Sequence, residues 1–178
     1  YANSYGSNSL AAYTIGYNIW IFSAFFIDGY SNAGNALAGK YIGEKNNEKL
    51  KKLGITLLKI NIKIALVLMT FYTILYPLVG GIFNSNENVI EVFENIFWIV
   101  ILAQPFNSIA FTFDGIFKGL GKAVDLRNTL MIGTFLFFIP TIYLLDLIIP
   151  QLISVWIALS VWMLYRGISL LVKFRKIV

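Results

Sequence analysis

Five long apolar stretches, separated by short polar clusters, make up most of this chain, and each reaches the roughly 20 mostly apolar residues that a membrane-crossing helix requires. The pattern predicts helices at about 9–38, 53–83, 89–119, 128–146 and 150–172. Gly39, Gly43 and the polar run that reaches Lys49 are expected to end the first helix. The second starts with an amphipathic lead-in, becomes continuously apolar from Ile64, and closes around Pro77, Gly80 and Gly81. At 1.5 Å per residue the third is ~45 Å long, which implies tilt or a kink at Pro105. Pro140 falls in the second half of the fourth, and Pro150 suits the first position of the fifth.

Composition supports an all-α, polytopic integral membrane bundle, with residues 1–178 read as one transmembrane lobe. Of the 178 residues 58% are hydrophobic and 13% charged, with a mean hydropathy of +0.73, against ~25% charged in soluble domains. Cysteine and histidine are absent, so disulfides, thiolate metal sites, zinc, haem and Ser-His-Asp chemistry are set aside. No metal, organic cofactor or enzymatic activity is expected.

The net charge of +5 comes from lysines and arginines clustered beside apolar segments, so it reads as a topology signal rather than a nucleic-acid footprint. Basic residues alternate along the connections. Lys40, Lys45, Lys49, Lys51 and Lys52 mark the first, Lys118, Lys122 and Arg127 the third, and Lys173, Arg175 and Lys176 the tail, while the second and fourth have none. The expected placement is a multi-pass protein of the inner cell membrane, N-terminal end outside and C-terminal end cytoplasmic. Tyr1 stands where a start methionine would, and Tyr1 to Asn8 lacks the features of a signal peptide, so the chain is expected to be a piece of a longer protein.

The polar residues inside these helices carry the candidate chemistry. Asp28 is expected near the bilayer midplane, ~16 Å from the Gly39-Lys40 exit. Thr14, Tyr17, Asp28, Asn32 and Asn35 share one side of the helix. Such a stripe faces protein or a watery cavity. Either Asp28 binds a cation or a proton there, or the stripe belongs to an interhelical hydrogen-bond network with a packing role. Asp114 is expected to be shallower, and it either serves the same ion or forms an ordinary pair with Lys118 one turn on. Asn107 shares its side. Tyr17, Asn32, Asn35, Gln104 and Asn107 are candidates for lining a cavity, and Asn61, Gln104 and Ser108 for interhelical hydrogen bonds. Lys59, Lys63 and Arg166 read as residues that snorkel to the headgroups. Gly115 and Gly119 read as close-packing positions. A short echo links Phe25-Phe26-Ile27-Asp28-Gly29 with Phe111-Thr112-Phe113-Asp114-Gly115.

Ser9-Leu10-Ala11-Ala12, Phe26 to Ala33 and Ala36-Leu37-Ala38-Gly39-Lys40-Tyr41-Ile42-Gly43 together resemble the second helix of a lobe in the MATE family, multidrug and toxic compound extrusion transporters, and its DinF-type branch in particular. Gln104-Pro105-Phe106-Asn107-Ser108 and Phe113 to Gly121 resemble the fourth helix of that lobe. The resemblance implies two lobes of six helices, of which this chain fits helices eight to twelve, the C-terminal lobe lacking most of its first helix. It also implies export of cationic or amphipathic compounds by alternating access, driven by Na+ or H+, with a carboxylate at the place of Asp114 in sodium-coupled relatives. The implied partners are membrane lipids, a small cationic substrate and the N-terminal lobe of the same protein, which holds the aspartates of many relatives' proton site. DinF-type sequences commonly have glutamate where this chain has Asn35. Two alternatives stand beside the exporter: a lipid-linked or polysaccharide flippase of the same superfamily, and a truncated, non-transporting membrane fragment.

Overall fold

A backbone N–H or C=O left unpaired in hydrocarbon costs several kcal/mol, so a chain this apolar resolves into helices. The computed structural model, which describes residues 2–149 and 151–178, opens with a 3-10 turn, Ala2–Tyr5. There follow α1 (Ser7–Gly43), α2 (Asn47–Phe83), α3 (Glu87–Gly119), α4 (Ala123–Ile132), a π-helical turn (Gly133–Phe138), α5 (Ile139–Asp146) and α6 (Leu152–Arg175). Because α4, the π turn and α5 are continuous, five helices among the described residues are long and apolar enough to cross a membrane. The all-α bundle expected from the sequence is what forms.

The helices outrun the apolar stretches that announced them. α1 continues through Gly39 to Gly43, α2 begins at Asn47 rather than near 53, the fourth span begins at Ala123 rather than near 128, and the fifth runs to Arg175. Hydropathy marks where hydrocarbon ends. Lys, Glu and Gln are good helix formers, so a helix carries on past that point until a cap stops it. For α1 the cap is a Schellman turn: Lys45 takes a left-handed φ of 52°, its N–H donates to Ile42 O and the N–H of Asn46 donates to Tyr41 O. The Asn46 side chain then caps α2 by accepting from the Lys49 N–H at 2.9 Å, so only three residues separate two 37-residue helices. Gly121, with φ 67°, closes α3 in the same way. The proposed role of Pro150 lies outside the described residues.

Pro140 acts one turn ahead of itself. It has no N–H to offer the carbonyl four residues back and its ring crowds that carbonyl. The preceding turn widens, and the Ile139 N–H donates to Thr134 O, five residues back. α3, by contrast, runs unbroken through Pro105.

α3 lies at the centre and packs against α1, α2 and α6. One apolar cluster gathers Ile15, Ile19, Tyr72, Phe93, Phe97 and Trp156; a second, at the lysine-rich end, gathers Leu50, Leu57, Phe113, Phe117, Leu170 and Phe174. Between the two clusters lie buried Ser31, Asn61, Gln104, Asn107, Ser108, Thr112 and Asp114. Large apolar side chains such as Val67, Ile74 and Ile82 of α2, and Phe135 and Leu144 of the fourth span, point outward where lipid replaces water. At the opposite end from the lysines, Tyr5 OH donates to the Asp146 carboxylate. Lys173 ties α6 to α4 through Asp125 at 3.1 Å.

The closest approach is between α1 and α3. A methyl group on Gly115 would fall 2.3 Å from Ser31 O, and one on Gly119 would fall 2.0 Å from Asn35 O. The two glycines are four residues apart and so are their partners, so the contact sets a fixed register along one face of each helix. Gly119→Ala should therefore lower stability by about 1–3 kcal/mol, the usual cost of overpacking. Gly29→Ala, which meets no atom within 4 Å, should be neutral or slightly stabilising. Thermal unfolding of the gene's complete product in detergent separates the two, and equal melting temperatures would count against this register.

Candidate functional site

The register over Gly115 and Gly119 brings Asp28 of α1 level with Asp114 of α3. Both line one cavity of about 130 Å³, with Ser31, Asn32, Phe111, Lys118 and Arg166. Counting from each helix end sets Asp114 well toward the lysine-rich end relative to Asp28; the register, with Ser31 opposite Gly115 and Asn35 opposite Gly119, reduces that offset to about two residues. α1 projects several residues beyond the end of α3, so counting back from each end misplaces the two relative to one another. The aspartates of the two echoing segments meet at this cavity.

Asp114 is held from α6. Arg166 Nε donates to Asp114 Oδ1 at 3.1 Å and Arg166 Nη2 donates to Oδ2, so the guanidinium fork occupies both carboxylate oxygens. The side chains are only 15% and 6% exposed. The guanidinium carbon of Arg166 also lies 5.3 Å from the Trp162 ring centre. Arg166 therefore turns inward and does not snorkel toward the tail. A carboxylate in this layer is costly unless paired, and the planar fork of arginine matches it better than an ammonium does. The anticipated pair of Asp114 with Lys118 does not form; Lys118 is exposed at the cavity edge. Asp28, partly buried, has no hydrogen-bond partner among the described residues.

A neutral network backs the cavity. Asn61 Nδ2 of α2 donates to Thr112 Oγ1 at 2.7 Å and to Ser31 Oγ at 3.4 Å. The two hydroxyls donate in turn to Ser108 O, at 2.6 Å, and Ile27 O, at 3.0 Å. Ser31 thus belongs both to this network and to the cavity wall, linking α2 to the site. Sequence reasoning anticipated the hydrogen bonding of Asn61 but missed Ser31, Thr112 and the role of Arg166. A signal for Arg166 was available: α6 already ends in Lys173 and Arg175, so a third basic residue well inside the span was not needed as an anchor.

The other candidates lie elsewhere. Tyr17, 41% exposed, stacks on Tyr13 with ring centres 5.9 Å apart and adjoins Trp20 at 5.8 Å. Trp20 reaches Phe111 at 6.0 Å, so an aromatic row leads along α1 to the cavity wall. Asn35 meets α3 through its backbone oxygen. Gln104 is buried with Nε2 donating to Val100 O at 3.1 Å, and Asn107 is buried with no partner for either amide atom among the described residues. The cavity collects Asp28, Asn32 and Asp114, and leaves Tyr17, Asn35, Gln104 and Asn107 outside its wall.

The chain matches the MatE family over residues 1–144. Protein DETOXIFICATION 43 of Arabidopsis thaliana is 27% identical over 164 residues, which cover 92% of this chain and 31% of that protein. DNA damage-inducible protein F of Escherichia coli (strain K12) is 23% identical over 175 residues, covering 96% and 37%. The chain spans about a third of the length of the curated relatives it matches. In fold it resembles the Vibrio cholerae MATE transporter VcmN in the bent form, with a TM-score of 0.88 at 15% identity, over 98% of this chain and 40% of that one. It also resembles the outward-facing conformation of a multidrug resistance MATE family transporter of the MOP superfamily, with a TM-score of 0.87 at 20% identity, over 98% and 39%.

Removing one member of the Arg166–Asp114 pair leaves an uncompensated buried charge. Asp114→Asn and Arg166→Gln should each cost about 3–5 kcal/mol of stability, and the double variant clearly less than their sum. A double-mutant cycle on the unfolding of the complete gene product measures this coupling, and additive losses would show that the pair does not hold α6 to α3.

Proposed function

The chain belongs to the MatE family, and from that premise we propose that it forms one lobe of a secondary transporter that exports cationic or amphipathic compounds by ion-coupled alternating access. The observation that carries the reading is the meeting of two carboxylates, Asp28 and Asp114, in one cavity between helices of membrane-spanning length. Carboxylates inside a membrane are costly, and ion or proton relays are what they commonly serve. The aromatic row of Tyr13, Tyr17, Trp20 and Phe111 suits a cationic, flat substrate through cation–π contact. The exposed face of α1 that carries Thr14, Tyr17, Asn18 and Asn32 supports a second lobe opposite this one, across a shared polar space. The basic ends of the helices support a cytoplasmic location for the lysine-rich turn between α1 and α2, in the inner cell membrane. Coupling is to Na+ or H+, and no chemical conversion of the substrate is assigned.

An inward-facing arginine would favour the flippase alternative, whose phosphate-bearing cargo needs fixed positive charge. Here Asp114 neutralises it, so the cavity offers no net positive surface from Arg166. That favours the exporter.

Efflux of a fluorescent cationic dye from cells or proteoliposomes carrying the complete gene product tests the assignment. Asp28→Asn and Asp114→Asn are expected to lower ion-driven efflux by about tenfold or more, a barrier change of ~1.4 kcal/mol. Lys59→Gln, on an exposed position of α2, is expected to leave efflux unchanged. Unaltered coupling in both aspartate variants would remove these carboxylates from the mechanism.

A further inference from the structure

We propose that Arg166 selects the coupling ion: by occupying both oxygens of Asp114 it excludes Na+ from the cavity and leaves the proton as the ion that can discharge the pair. The inference rests on the transporter reading above and adds to it a residue and a choice of ion.

A bare Na+ binds only if protein oxygens replace its hydration shell. The oxygens here are few. Both oxygens of Asp114 accept from Arg166. Ser31 Oγ already donates to Ile27 O and accepts from Asn61 Nδ2. Asp28 and Asn32 remain, and they share the cavity of about 130 Å³ with the Lys118 ammonium and with Arg166, whose charge Asp114 already balances. A metal cation entering there would give up its hydration shell for too few free protein oxygens.

A proton has neither difficulty. It needs one oxygen atom and no coordination shell, and on Asp114 it converts the carboxylate into a neutral acid. The charge that held the guanidinium is then gone. Among the described residues, the only other carboxylate on the cavity wall is Asp28 of α1, across the same space. Protonation of Asp114 thus passes Arg166 from α3 toward α1, and deprotonation returns it. The charged groups that face Asp114 are Arg166 from α6, Lys118 from α3 itself and Asp28 from α1; α2 contributes the uncharged Asn61 network. One exchange of partners therefore involves three helices, which is what a coupling step has to accomplish.

The complete gene product, purified and reconstituted, allows two independent readouts: binding of radioactive sodium in detergent, and dye transport under a proton or a sodium gradient imposed separately. The wild type is expected to show no saturable sodium binding above that of Asp114→Asn, and to move dye with the proton gradient alone. Arg166→Gln is expected to acquire saturable sodium binding, about tenfold above the Asp114→Asn background, with the gain lost again in the Arg166→Gln/Asp114→Asn double variant, because removal of the guanidinium frees both oxygens. Arg166→Lys, which keeps the charge, is expected to remain without sodium binding. Saturable sodium binding to the wild type overturns the proposal whether or not any variant folds, as does a folded Arg166→Gln that binds no more sodium than the wild type. If neither gradient moves dye, the transport reading fails, while the binding measurements still decide the role of Arg166.

Discussion

The contact of α1 with α3 over Gly115 and Gly119 is the constraint on which the rest of the structure depends. In a bilayer, lipid tails are as apolar as leucine, so helices associate through close packing and polar contacts rather than through escape from water. Two glycines one turn apart let the backbone carbonyls of Ser31 and Asn35 approach α3 where any Cβ would collide. The match is discrete, because a shift of one residue turns a helix face by 100° and leaves the glycines opposite nothing that fits. Once that register is set, Asp28 and Asp114 share a cavity, and α2 and α6 close around α3.

The buried charge follows from the same geometry. With apolar clusters on both sides, the middle layer has few ways to satisfy Asp114. Arg166 satisfies it with a two-pronged hydrogen bond, and Trp162 and Met163 lie beside the guanidinium. A pair of this kind adds little net stability beyond what apolar residues would give, but breaking it is expensive. Its value is therefore in specifying which faces of α3 and α6 meet. The Asn61 network shows how such a layer is otherwise built: hydroxyls bond back to their own helices and accept from a neighbouring amide, leaving little for a ligand.

These features place the two carboxylates and the aromatic row on neighbouring surfaces of the bundle. The cavity opens beside the exposed polar face of α1, and the aromatic row ends on Phe111 at its wall. A change in the partner of Arg166 would be felt by α1, α3 and α6 together.

By itself the sequence determined the number and kind of elements. Apolar stretches of bilayer length admit only helices, and the absence of cysteine and histidine removed whole classes of chemistry. It also marked Asp28, Asn32 and Asp114, because a polar residue inside an apolar helix stands out without any partner in view. The helix ends were less legible, since hydropathy senses hydrocarbon and the caps at Glu44 and Leu120 lie outside it. What only the tertiary structure decided was who meets whom. Arg166 is 52 residues from Asp114, and nothing local distinguishes an arginine that snorkels from one that pairs. Asn35, Gln104 and Asn107 have the right residue types but lie outside the cavity wall, because the rotation of each helix is set by the glycine contact and not by its own polarity. Periodicity fixes a face within one helix; only the packing of several fixes what that face looks upon.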